Sequence, residues 1–159
     1  MKILILITAF LAVFLGKAEA QEYKIYKGRN KSDNNSLLYI VKDKNVYDNK
    51  NNVRFTIKAL DKDTLMVSNE SSKYKLTNNK IIEISNKNEA ESKTILNIKN
   101  GEVYLQESSS RLQILYTLKD GKIYKGRSTS SLDVIYSYQE SQNTDKVLIA
   151  LLTHIEDMI

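Results

Sequence analysis

Tyrosine is the side chain in this sequence whose number and spacing could support chemistry. The chain has ten tyrosines, but only one histidine and no cysteine or tryptophan. Four tyrosines occupy equivalent places in a repeated pattern, and these are Tyr26, Tyr47, Tyr104 and Tyr124. Rigid amphipathic rings give contact area at low entropic cost, so a ladder of them predicts a binding platform for a sugar or a peptide.

Basic residues accompany two of these tyrosines. The segment Lys-Ile-Tyr-Lys-Gly-Arg occurs at 24–29 and, unchanged, at 122–127. Its basic members Lys27, Arg29, Lys125 and Arg127 can form one patch only if the two ends of the repeat array meet. Basic and aromatic residues together can bind single-stranded nucleic acid or acidic glycans. We interpret them mainly as solvated charge along strands and expect no nucleic-acid partner.

Motifs for catalysis and cofactor binding are weak. With His154 as the single histidine and no cysteine, the sequence predicts no metal site and no cofactor. The glycines form neither a nucleotide-binding motif nor a nucleophile elbow. We interpret His154 as a boundary residue and Glu156–Asp157 as solvated charge. An enzyme that acts on glycans, with tyrosines and carboxylates in a cleft, remains the alternative function.

The first twenty residues resemble a secretory signal. Lys2 precedes an apolar run from Ile3 to Gly16, and Ala18-Glu19-Ala20 has the small-residue pattern of a cleavage site. The apolar run is too short for a stable membrane span, and no later run approaches that length. The sequence therefore predicts a cleaved signal at 1–20, one domain at 21–159, and an exported protein that is periplasmic or secreted.

A period of about twenty residues organises the rest of the chain. Gly101-Glu102-Val103-Tyr104 matches 121–124 at a spacing of 20. Six units follow from this period, with the third and fourth least regular: 24–43, 44–63, 64–79, 80–100, 101–120 and 121–140. Each unit opens with a short apolar or aromatic pair, such as Ile25-Tyr26, Val46-Tyr47 or Met66-Val67. A polar tract and a second apolar segment follow, which favours a β-hairpin.

Turn residues between the segments support this interpretation. Asn100-Gly101 and Asp120-Gly121 are strong hairpin signals because both residues tolerate positive φ. Asn51-Asn52 and Asn78-Asn79 are weaker signals of the same kind. A single hairpin cannot bury its apolar face alone, so the units must associate. We predict a mainly β fold in which about six hairpins form a closed or nearly closed barrel or flower-like array, with the first and last units adjacent.

The tail predicts one α-helix over 145–159. Asn143, Thr144 or Asp145 can cap it, and an apolar stripe follows at helical spacing. That stripe consists of Leu148, Leu151, Leu152, Ile155 and Ile159, and Val147, Ile149 and Met158 widen it. We expect this helix to pack on the sheet and to cover or plug one opening.

The repeated segments of the type Asp-Gly-Lys-Ile-Tyr-Lys-Gly, each followed by a strand such as Val-Ile-Tyr-Ser-Tyr, resemble bacterial β-flower proteins. They are loosely similar to MORN-type hairpin repeats as well. The resemblance covers 101–140 and 24–43, and the Gly-Lys-Trp-like pattern of MORN units is missing. It implies an array of hairpins and brings no catalytic residue. We therefore expect an exported, non-catalytic binding or structural protein of the bacterial envelope, whose partner is an unknown protein or glycan.

Overall fold

The computed structural model describes residues 22–29, 34–77, 79–85, 91–105, 113–139 and 145–158. Twelve antiparallel strands close into one barrel, and a helix follows the last strand. The elements are β1 Tyr23–Lys27, β2 Leu37–Lys42, β3 Asn45–Asp48, β4 Val53–Asp61, β5 Thr64–Ser68, β6 Lys73–Thr77, β7 Lys80–Glu83, β8 Lys93–Lys99, β9 Glu102–Leu105, β10 Gln113–Lys119, β11 Lys122–Lys125, β12 Val134–Tyr138 and α1 Lys146–Asp157. The predicted signal at 1–20 lies outside the described residues.

The six predicted units correspond to six hairpins. Each hairpin consists of an odd-numbered strand and the even-numbered strand after it, and every predicted boundary lies at the short turn between two hairpins. The first and last hairpins are adjacent, because β1 pairs with β12 and Ile25 lies opposite Tyr138. The prediction of a closed array is confirmed.

The two ends of the barrel differ. The five connections between hairpins are short turns, and we call this end the turn end. The connections within hairpins are the longer segments 28–36, 49–52, 69–72, 84–92, 106–112 and 126–133, and we call their end the loop end.

Backbone conformation explains the turns. Asn100 and Gly101 have φ of 53° and 80°, and Asp120 and Gly121 have 51° and 68°, as predicted for these pairs. A Cβ on Gly101 would lie 2.7 Å from the Leu118 carbonyl oxygen, so this position also needs glycine for space. Asp43 and Lys44 form a similar pair with φ of 51° and 62°, at a turn that no glycine marks in the sequence.

The core is a ring of side chains at one level of the barrel. Each odd strand contributes one aliphatic residue that is at most 1% exposed: Ile25, Val46, Val67, Ile81, Val103 and Ile123. The residue directly opposite on the even strand is also buried and is usually aromatic: Tyr39, Phe55, Tyr74, Leu96, Tyr116 and Tyr136. Strand alternation therefore points the next residue of each odd strand outward.

This ring corrects the repeat alignment of the irregular units. The repeat pattern in the sequence aligns Met66-Val67 with the Ile25-Tyr26 pair. The inward residue Val67 shows instead that Val67-Ser68 is the equivalent pair. In the next unit the equivalent pair is Ile81-Ile82. Small or aliphatic residues replace the outward tyrosine in both units, so no aromatic residue shows which position of the strand points outward.

A β-bulge recurs next to this ring, on its loop-end side, and increases the local twist of the strands. In five hairpins one residue of the even strand is passed over by the pairing: Leu38, Arg54, Ile95, Leu115 and Ile135. The remaining hairpin, β5–β6, pairs without a shift from Thr64–Thr77 to Ser68–Lys73. Unit three is therefore the irregular unit in the structure as well.

Helix α1 is surrounded by apolar side chains. Its six consecutive residues from Leu148 to Thr153 are all buried, and six residues at 100° intervals point in every direction around a helix. These helix residues share one core cluster with inward side chains from the strands. The helix thus fills the barrel, which extends the predicted role of covering one opening. Met158, which was expected to widen the apolar stripe, is 63% exposed, and Ile159 lies outside the described residues.

Candidate functional site

Three buried tyrosines meet the carboxylates at the end of helix α1. The Tyr116 hydroxyl donates a hydrogen bond to Asp157 Oδ2 at 2.5 Å, and the Tyr136 hydroxyl donates to Asp157 Oδ1 at 2.9 Å. The Tyr39 hydroxyl donates to Glu156 Oε1. We call these five residues the tyrosine–carboxylate cluster. The three tyrosines belong to the ring of core side chains described above, and their packing there fixes the direction of each hydroxyl.

The electrostatics of the cluster keep its tyrosines protonated. Burial raises the pKa of Tyr39, Tyr116 and Tyr136 well above the ordinary value of 10.0, and the hydrogen bond to a carboxylate raises each pKa further. All three phenols therefore remain hydrogen-bond donors at neutral pH. Hydrogen bonds to a charged acceptor are stronger than neutral ones, so they hold the end of the helix against the wall.

The sequence pattern indicated solvated charge at Glu156 and Asp157. Asp157 is indeed exposed, but both carboxylates also accept hydrogen bonds from buried phenols. The sequence did indicate that these two carboxylates have partners. Carboxylates in the last turn of a helix oppose the negative end of the helix dipole, so two of them there imply a compensating partner. Only the fold shows that the partners are tyrosines from distant strands.

His154 lies one turn before this end of the helix. Burial lowers its pKa below the ordinary value of 6.5, while the negative charges of Asp157 and Glu83 oppose that shift. Half-burial agrees with its interpretation as a boundary residue. Within the described residues, no three metal-binding side chains come together at a position that could hold a metal ion.

Two cavities open near the loop end. One of about 480 Å³ is lined by Tyr116, Asp157, Lys125 and neighbouring residues of β10 and β12. The other, of about 630 Å³, lies between β4 and β5 and includes Arg54 and Glu70. Each of these cavities contains a single carboxylate, whereas a glycosidase needs a pair.

The outward tyrosines form an arc on the barrel wall. They lie on β9, β11, β1 and β3, which follow one another at every second strand because the barrel is closed. Tyr26 and Tyr124 are only 5% and 6% exposed, yet neither belongs to the main core cluster. In this conformation their rings offer little surface to a ligand.

The other two outward tyrosines are half-buried and contact charged neighbours. The Lys42 ammonium lies 5.3 Å from the centre of the Tyr47 ring, a cation–π distance. The Tyr104 hydroxyl donates to Glu102, and this hydrogen bond raises the pKa of Tyr104. Glu102 also forms an ion pair with Arg127 at 3.4 Å.

Closure places the predicted basic residues on the two strands that flank β12. Lys27 and Lys125 end β1 and β11 and are exposed, and Arg29 and Arg127 follow them at the loop end. The two copies of the hexapeptide have the same local structure at their glycines. Gly28 and Gly126 have φ of 74° and 62°, and each donates its N–H to the bulged residue of the neighbouring even strand.

Comparison with known proteins supports the architecture. The sequence model of one family, described as 6-fold beta flower protein, matches residues 61–151, which is more than half of the chain. No curated protein and no solved structure matches. In the described residues, no helix is both long and apolar enough to cross a membrane. The family match and the closed ring of six hairpins agree, and the chain belongs to the 6-fold beta flower protein family.

Proposed function

We propose that this protein is an exported, non-catalytic binding protein of the bacterial envelope that holds its partner at the loop end of the barrel. The observation that carries this proposal is the filled interior. Helix α1 occupies the space that a ligand-binding barrel leaves open, so binding falls to the outer surface. The connections between strands are longer at the loop end than at the turn end, and long connections can form a binding surface on a rigid scaffold.

Export rests on the sequence pattern of residues 1–20. Fusion of this segment to a reporter enzyme that is active only outside the cytoplasm should give an active reporter. Activity no higher than that of the same reporter without the segment would remove the envelope from the proposal.

Binding at the loop end is tested by photocrosslinking in cells. A photoreactive residue replaces Arg29 or Arg127 at the loop end, and Lys44 or Lys62 at the turn end serves as the matched control, since all four side chains are exposed. We expect crosslinked partners, protein or glycan, from the loop-end positions only. Crosslinks confined to the turn end, or none from any position, would contradict the proposal.

A further inference from the structure

The strand pairings between neighbouring hairpins, which we call seams, close in a repeated way. Three seams end at the loop end with the same hydrogen bond, from a backbone N–H after the odd strand to the carbonyl of the even strand beside it. These bonds join Gly28 to Ile135 at 2.7 Å, Ile84 to Lys73 at 2.8 Å and Gly126 to Leu115 at 2.8 Å. The repeat therefore supplies an internal standard for a closed seam.

The seam between β4 and β5 departs from that standard. The equivalent groups are the Glu70 N–H and the Arg54 carbonyl, and within the described residues they form no such bond. The last paired residues are Thr56 and Ser68. Beyond them β4 continues through Phe55 to Val53, while β5 has ended.

The loop after β5 is folded back on itself. The Asn69 side-chain oxygen accepts hydrogen bonds from the backbone N–H groups of Ser71 and Ser72 at 2.9 and 2.7 Å. The 630 Å³ cavity lies where the strands separate, between 53–56 on one side and 68–71 on the other. The β2–β3 seam also lacks the Asn49–Leu38 bond, but its pairing extends one residue further, to Asp48 opposite Tyr39, whereas the equivalent pair of Phe55 and Asn69 is missing from the β4–β5 seam.

The walls of the open seam determine which ligand fits. A strand edge with an unused carbonyl pairs with an extended backbone, as in β-strand addition. The Arg54 side chain is exposed and can meet a carboxylate, and the exposed Val53 can meet an apolar side chain. The only aromatic residue in the lining, Phe55, is 4% exposed, so the groove has no ring face on which a sugar could stack.

We propose that the open seam between β4 and β5 binds an extended peptide segment that carries one carboxylate, which pairs with Arg54. Glu70 on the opposite wall repels a run of acidic residues, so the residues that flank this carboxylate are neutral or basic. This proposal rests on the proposed binding function and names the site and the class of partner.

The test is selection from a random-peptide library on the purified protein, with the most enriched peptide then labelled for fluorescence anisotropy. We expect the enriched peptides to be rich in β-branched residues and to contain one acidic residue. Arg54→Glu should weaken their binding about tenfold or more, because the charge-assisted pair becomes repulsive. Lys62→Glu, which reverses an exposed charge at the turn end, is the control and should leave the affinity unchanged. Amide shifts in NMR spectra should fall at 53–56 and 68–71 and should spare Gly126.

Failure of this site is distinguishable from failure of the loop-end function. If no peptide is enriched, or if the enriched peptides bind Arg54→Glu as well as the unmodified protein, the seam is not the site. Crosslinks from Arg29 or Arg127 in cells would then still support a loop-end partner. The absence of both results would end both proposals.

Discussion

Tyrosines recur at two different places of the repeat, one inside the barrel and one outside. The inner tyrosines are Tyr39, Tyr116 and Tyr136, and the outer tyrosines are Tyr26, Tyr47, Tyr104 and Tyr124. The inner set projects into the barrel, and each hydroxyl bonds a carboxylate of helix α1. The outer set projects away from the core ring, and its members differ in exposure from one unit to the next. The inner position is constrained by a single helix that all units share, whereas each outer position depends on its own neighbouring loops and side chains.

Alkaline pH should have the largest effect on stability, because it acts on all three inner phenols at once. Their pKa is raised in the folded state, so the stability that they contribute is fully present below the unfolded value of 10.0 and is lost as pH rises above it. Circular dichroism and tyrosinate absorbance should change together in one cooperative step. The variant with phenylalanine at Tyr39, Tyr116 and Tyr136 should show a weaker dependence on alkaline pH; an equal dependence would separate these phenols from the transition.

Truncation of a buried outer tyrosine should have the next largest effect. Tyr124→Ala should lower the free energy of unfolding by about 3–5 kcal/mol, as for other buried aromatic residues. Denaturant unfolding measures the change, with the half-buried Tyr47→Ala as the matched comparison and a smaller expected loss. Equal stability of the two variants would show that Tyr124 is exposed in solution and would restore it as a platform residue.

Removal of one acceptor should loosen the end of the helix. Asp157→Asn should cost about 0.5–1.5 kcal/mol, because two phenols lose a charged acceptor but the Asp157 side chain is exposed and water can replace part of each bond. Amide hydrogen exchange should increase at the end of α1 more than in the strands. The double variant with Tyr136→Phe should cost less than the sum of the single changes, and strict additivity would show that the two side chains do not interact in solution.

The smallest effect on stability is expected at Tyr104, one of the two half-buried outer tyrosines. Tyr104→Phe removes a hydrogen bond to Glu102 that water can replace, so the free energy of unfolding should change by less than about 0.5 kcal/mol. The same denaturant measurement checks it. A loss as large as that of Asp157→Asn would mean that the Glu102–Arg127 ion pair organises this part of the wall.

Much of the architecture was predictable because it depends on local patterns. Turn residues at Asn100-Gly101 and Asp120-Gly121 marked the unit boundaries, and the identical hexapeptides marked two positions with the same backbone conformation. The prediction was wrong at Met66-Val67, where the tyrosine that marks the outward position is replaced by Ser68. The candidate site was less predictable, since the exposure of Tyr26 and Tyr124 and the partners of Glu156 depend on residues far away along the chain.

The sequence by itself determined the six hairpins, their turns and the apolar helix, because φ preferences and hydrophobic period are properties of a few adjacent residues. Tertiary structure alone decided the rest. Closure of β1 on β12 placed the two hexapeptides on either side of one strand, and insertion of the helix turned three separate tyrosines into a hydrogen-bonded cluster. It also left the β4–β5 seam open where three equivalent seams close with a hydrogen bond, a difference between repeats that no single repeat encodes.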